Sequence, residues 1–253
     1  MEKKQKIILW ISAIVVAVLL SYFKNVTSEE YPITGTTAVD GEKVTYAFDK
    51  IYRGKEDFKI SLRTDSEQIN GSVIWWKTTS VIRDTVQLKK EKGFLSCSIP
   101  LQKPETEIWY KVYLHGKETT IQVPSTLTLH TKFLGFVPTS ISSTFVLTFF
   151  LGLLLSIRIG LAFFEERAKT KTFALFTLIS FSMYGFFLVP VKNLFELGAV
   201  NQRVPQFFEM FSLPELSFAL VWIVVTIGMF NSKNKMWNVA GAVATVAAYL
   251  IVR

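Results

Sequence analysis

KKQKIILWISAIVVAVLLSYFK, residues 3–24, decides what kind of protein this is. Lys3, Lys4 and Lys6 precede an uncharged run at 7–23, and Lys24 closes it. Seventeen helical residues rise about 26 Å, the lower limit for crossing roughly 30 Å of hydrocarbon. A cleaved secretory signal has a shorter apolar middle, about 7–15 residues, followed by small residues at the cut. Here only Val26-Thr27-Ser28 offers such residues, behind Tyr22, Phe23 and Lys24. Length and flanks together favour an anchor that stays, with the lysines holding the N-terminus in the cytoplasm.

The rest of the chain agrees with a membrane class. Half of its 253 residues are hydrophobic, Phe alone contributing 22, and mean hydropathy is +0.33, which is too apolar for an ordinary soluble domain. After a charged, turn-rich segment at 26–132, apolar runs recur at 133–157, 173–191, 213–230 and 236–252, the last being short. The proposed cytoplasmic side holds Lys3, Lys4, Lys6, Arg158, Arg167, Lys169, Lys171, Lys233 and Lys235, against Lys192, Arg203 and Arg253 outside. Nine against three supports five spans, with the soluble segment and the loop at 192–212 on the outer side of a bacterial cytoplasmic membrane. The net charge of +8 is thus a membrane-topology signal, and no nucleic-acid partner is expected. The three regions are therefore an anchor at 1–24, an inserted domain at 26–132 and a four-helix region at 133–253. Connectors too short to be flexible should keep the inserted domain close to the 192–212 loop.

Seven short runs within 26–132 read as strands: KVTYAF, DFKISLRT, GSVIWWKTT, TVQLKK, FLSCSIP, EIWYKVYL and TTIQVP, separated by DG, NG, EKG and HG turns. Their number and spacing predict an antiparallel β-sandwich. Alternation along EIWYKVYL puts Ile108, Tyr110, Val112 and Leu114 on one face, the expected core face. Adjacent Trp75 and Trp76 point to opposite faces, so at most one enters the core. At SVIWWK and PETEIWYKVYL the domain resembles fibronectin type III and immunoglobulin-like modules. Together with SIRIGLAFF at 156–164, the whole chain is similar to a family of multi-pass membrane proteins from Bacteroidota and related bacteria with the same order of anchor, sandwich and helices. Members of that family carry a Gly-rich, Asp/Asn-containing outer loop, where this chain reads VPQFFEMFSLPE. The resemblance carries no biochemical function to it.

No P-loop, G-x-S-x-G, H-E-x-x-H or Cys pair occurs, and Cys97 is the single cysteine, so no catalytic, cofactor-binding or metal motif is expected. His115 and His130, in a turn and above the membrane, do not read as haem ligands. Arg158, at the inner end of the second span, reads as a snorkelling side chain. Glu215 has two readings: a buried functional carboxylate, or the closing residue of a capping box in Ser212-Leu213-Pro214-Glu215, which the spacing favours. Ser140, Ser143, Thr144 and Thr148 on the second span form either a polar path or hydrogen bonds to backbone. In the outer loop, Phe207, Met210 and Phe211 fall on one face of a short helix; with Arg203 and Glu209 they are the candidate contacts for another membrane protein. Ala240, Gly241, Ala244 and Ala248 form a candidate seam for close helix packing. The functional expectation is a non-enzymatic accessory or scaffold subunit of a membrane complex, with a small transporter or lipid-handling protein as the alternative. Besides the bilayer, the expected partner is another membrane protein, and the oligomeric state is open.

Overall fold

The computed structural model describes residues 2–80, 82–165, 169–200, 205–232 and 234–251. The chain divides into two compact units. A β-unit comprises Glu29–Phe136 with the short segment Glu196–Gly198, and a helical unit takes the residues up to Ser28, Val137–Phe195 and the chain from Ala199 on.

Among the described residues, eleven strands build the β-unit: β1 (Ile33–Val39), β2 (Glu42–Phe48), β3 (Ile51–Tyr52), β4 (Phe58–Arg63), β5 (Asn70–Lys77), β6 (Asp84–Gln87), β7 (Lys89–Glu91), β8 (Phe94–Ile99), β9 (Glu107–His115), β10 (Thr120–Val123) and β11 (Leu129–Phe133). One sheet runs β1-β2-β4-β8-β7 and the other β3-β11-β9-β5-β6, with β10 also pairing β9. Every pairing is antiparallel except β3 with β11. TVQLKK, a single strand by sequence, divides at buried Leu88: β6 joins one sheet and β7 the other, so this segment turns a corner of the sandwich. The DG turn between β1 and β2 places Asp40 at φ +48° and Gly41 at φ +85°, the left-handed pair a tight hairpin requires. Asp40 then accepts hydrogen bonds from the Thr119 hydroxyl at 2.6 Å and the Glu118 amide at 3.1 Å, which hold its carboxyl below the usual range.

Alternation in β9 works as the pattern predicts: Ile108, Tyr110, Val112 and Leu114 are fully buried. They face Val44, Phe48, Phe58, Leu62, Leu95 and Ile99 of the opposite sheet in one apolar core. Trp75 enters that core and Trp76 is only half-buried. Phe133 also belongs to it, through β11, although the apolar run at 133–157 assigned it to a membrane span.

The helical unit contains α1 (Glu2–Thr27), α2 (Thr139–Leu161), α3 (Thr170–Met183), α4 (Val189–Glu196), α5 (Phe207–Met210), α6 (Leu213–Asn231) and α7 (Met236–Ile251). A 3₁₀ turn, Ala162–Phe164, extends α2, and a π-helical turn, Tyr184–Leu188, joins α3 to α4. Among the described residues, four helical stretches are long and apolar enough to cross a membrane: Lys4–Thr27, Thr139–Phe164, Thr170–Glu196 and Leu213–Asn231. The sequence pattern called for five. The difference is α7, whose 16 residues rise only about 24 Å, short of the hydrocarbon thickness. Ala13 and Ala17 let α1 lie close on α2, where they meet Leu153 and Ile157.

Cys97 is 7% exposed in the β-core, and burial pushes its thiol up to about 11. At pH 8 almost no thiolate is present, so native protein should resist maleimide labelling and denatured protein should label fully. Rapid native labelling would show that this sheet opens.

Candidate functional site

The π-helical turn is where the helical unit departs from regular geometry. Pro190 has no N–H and its ring crowds the carbonyl four residues before it, so a regular α-helix cannot pass through Phe186 undisturbed. The chain widens instead, and the Val189 N–H donates to the carbonyl of Tyr184, five residues back. Such single wide turns are frequent at functional sites. This one buries Tyr184 to 7% exposure and brings Gly185 against the start of α6. A Cβ at Gly185 would stand 3.3 Å from the Glu215 carbonyl oxygen, a tighter contact than most side chains make, so the two helices approach closely here.

Between these elements lies a cavity of about 390 Å³, lined by Ser21 and Lys24 of α1, Phe145, Val146, Phe149 and Phe150 of α2, Tyr184 of the π-helical turn, Glu215 and Phe218 of α6, and Tyr249 of α7. Phe149 is the centre of its wall, with ring centroids 4.8 Å from Tyr184, 5.1 Å from Phe218 and 5.2 Å from Tyr249. The Lys24 ammonium stands 5.7 Å from the Tyr249 ring. Glu215 Oε2 is buried and has no hydrogen-bond partner. The site is therefore aromatic in its walls and carries hydroxyls, an ammonium and a carboxylate at one end.

This placement replaces the capping-box reading of Glu215. Ser212 stands at the N-cap of α6 but makes no side-chain cap bond, and the Glu215 carboxylate turns into the bundle instead. A reciprocal contact of that type occurs at the preceding helix, α5, where the Gln206 N–H donates to Glu209 Oε2 at 2.9 Å. Glu209 is thus occupied in closing the short α5 helix. Phe207 is 58% exposed and stacks on Phe211 at 4.5 Å, while the Met210 carbonyl accepts from the Asn193 side chain at 2.9 Å. Arg203 lies outside the described residues.

Arg158 does not snorkel. It is 2% exposed, and its Nη2 donates to Glu165 Oε2 at 2.6 Å. On α2, Ser140, Ser143 and Thr144 are exposed away from the bundle, and the Thr144 hydroxyl donates to the Ser140 carbonyl, which satisfies it without a polar path. On α7, Ala240 is exposed and Ala244 and Ala248 are half-buried; the closely packed residues are Asn238, Gly241 and Thr245. The Trp222 indole donates to the Thr245 hydroxyl at 2.8 Å, which in turn donates to the Gly241 carbonyl at 2.8 Å. His115 contacts the Ser72 and Thr120 hydroxyls, and His130 stacks on Trp109 at 5.2 Å. With His130 paired opposite Trp109, six residues of β9 from His115, the two histidines stand about 20 Å apart, too far to share an iron.

No protein-family model matches this chain, and no curated protein matches it. Among solved structures, a chain described as "Myokine structure" aligns over 42% of this chain and 97% of its own, with 14% identity and a TM-score of 0.22.

A Cβ at Gly241 would stand 2.8 Å from Val225 Cγ1 and 3.3 Å from the Trp222 ring. Gly241→Leu should therefore destabilise the helical unit by about 1–3 kcal/mol through overpacking. Ala240→Leu, one residue away and exposed, should leave the thermal midpoint in detergent unchanged. Equal effects would mean that the packed face lies elsewhere.

Proposed function

We propose that this chain is a bacterial multi-pass membrane protein that holds an amphipathic molecule of the lipid class in the cavity of its helical unit. The carrying observation is Glu215 Oε2, buried without a partner in a cavity whose walls are mainly aromatic. A carboxylate at a membrane helix is costly, and where it occurs it marks a functional site by default. A hydroxyl or amide head satisfies this carboxylate, because it can donate to Glu215 and accept from Tyr184. Its apolar tail packs on Phe145, Phe149, Phe150 and Phe218. The cavity volume falls in the range of small-molecule sites, about 300–1,000 Å³.

The surrounding architecture is proposed on the charge distribution given above: the four long apolar stretches cross the membrane, with the N-terminus in the cytoplasm and the β-unit outside. For an immunoglobulin-like identity of the β-unit, the support is strand order. β2-β4-β8-β7 facing β5-β9-β11 reproduces the two-sheet arrangement of that fold. The order of anchor, sandwich and helices fits the Bacteroidota family resemblance.

A second reading, the accessory or scaffold subunit, is favoured by the exposed Phe207 and Phe208, at 58% and 76%, which offer an aromatic edge to another membrane protein. Native mass spectrometry of the full chain in mild detergent separates the two. The cavity reading expects a defined small amphiphile on the wild type, reduced about tenfold, or about 1.4 kcal/mol, by Glu215→Gln and by Val146→Trp at the cavity mouth. An empty chain bound stoichiometrically to another membrane protein, and released by Phe207→Ser with Met210→Ser and Phe211→Ser, would replace it with the accessory reading.

A further inference from the structure

At the other end of α1, away from the cavity, a second cluster of charge surrounds a buried ion pair. Lys6 and Lys24 are eighteen residues apart on one helix, about 27 Å, close to the thickness of a bilayer core. The cluster centres on Arg158, near the C-terminal end of α2, whose side chain is 3% exposed. One of its three nitrogens is occupied by Glu165, which is 8% exposed. Nε and Nη1 are buried with no hydrogen-bond partner. The Trp10 ring lies 5.4 Å from the guanidinium carbon and covers one face.

Two further cations converge here. Lys6 Nζ stands 3.7 Å from Glu165 Oε1, and Lys235 Nζ donates to the Glu165 backbone carbonyl at 3.0 Å. Gln5 holds the same turn through the Phe164 carbonyl at 3.1 Å. Among the described side chains, Arg158, Lys6 and Lys235 thus bring three positive charges to the single carboxylate of Glu165. A structural lock between α1 and α2 would account for the Arg158–Glu165 pair. It leaves the two orphan nitrogens and the surplus charge unexplained, and buried donors without acceptors are destabilising, more so when charged. An oxyanion supplies what is missing: several acceptor oxygens on one centre, and negative charge to match.

We propose that Arg158, Lys6 and Lys235 bind a phosphate group, with the Arg158 nitrogens left free by Glu165 donating to its oxygens. Arg is suited to this by its planar set of donors and weak hydration. The depth of the site fits a phospholipid headgroup, since Lys6 marks the point where the apolar part of α1 begins, and basic pockets between spans at this level take anionic headgroups. Free phosphate has the same chemistry. The site is independent of the cavity and does not rest on the function proposed for it.

The test uses the purified full chain in mild detergent, with phosphatidylglycerol and diacylglycerol of identical acyl chains as probes in native mass spectrometry. In parallel, thermal stability is measured in inorganic phosphate against chloride at matched ionic strength. We expect phosphatidylglycerol to be retained about tenfold over diacylglycerol, with that preference lost in Arg158→Gln and kept in Ala240→Leu. Lys6→Gln with Lys235→Gln, both at exposed positions, should weaken it severalfold and decides the matter if Arg158→Gln does not fold. Stabilisation by inorganic phosphate, lost in the same variants and without a lipid preference, would assign the site to free phosphate. Equal retention of the two lipids with no effect of phosphate would overturn the proposal.

Discussion

Hydrocarbon offers a polar side chain no hydrogen-bond partner, and the helical unit is built under that constraint. Several of its hydroxyls are satisfied at short range by the backbone of their own helix: Thr144 on Ser140, Thr177 on Phe173, Ser217 on Pro214, Thr245 on Gly241. The Trp222 indole reaches one helix further, to Thr245. Against that background the buried polar atoms without partners stand out. Among the described residues of this unit they are the Ser156 and Thr226 hydroxyls, Glu215 Oε2, and Nε and Nη1 of Arg158. The hydroxyls are neutral and single. The two ionisable groups each sit with other polar side chains, Glu215 at the end of a cavity and Arg158 in a charge cluster.

Backbone geometry follows from the same requirement. Pro190 breaks the hydrogen-bond ladder of α3, and the π-helical turn restores it with a longer bond while carrying Tyr184 inward. Gly185 then admits the start of α6, and Glu215 is delivered beside Tyr184 in the same cavity. A local irregularity in one helix thereby sets the composition of the site.

Much of this fold was legible in the chain. Strict alternation made the buried face of β9 readable, because side chains on a strand have period two, and lysine-flanked apolar runs located the long helices. Three strands were not seen. β1, ITGTTAV, has few apolar residues to alternate; β3 is two residues long; and β11 sits in a stretch whose Phe133 continues smoothly into an apolar run. Pro138, at the N-cap of α2, was the available sign that the helix starts later. The site was harder to read. S-x-x-E spacing describes a capping box wherever the Glu can fold back, but it cannot report that a π-turn on another helix has opened a cavity beside it. Arg158 misled for a related reason: its partner Glu165 lies beyond a 3₁₀ turn, outside helical i, i+4 register, so the sequence presented a lone basic residue at a helix end.

The central claim is that the cavity beside Glu215 is occupied by one kind of molecule and not by bulk lipid. Photo-crosslinking tests it directly, with benzoylphenylalanine placed at Phe145 in the cavity wall and at Phe176, which is 55% exposed on the outside of α3, in native membranes. The account predicts a single adduct mass from position 145 and a spread of phospholipid masses from position 176. The same spread from both positions would contradict it.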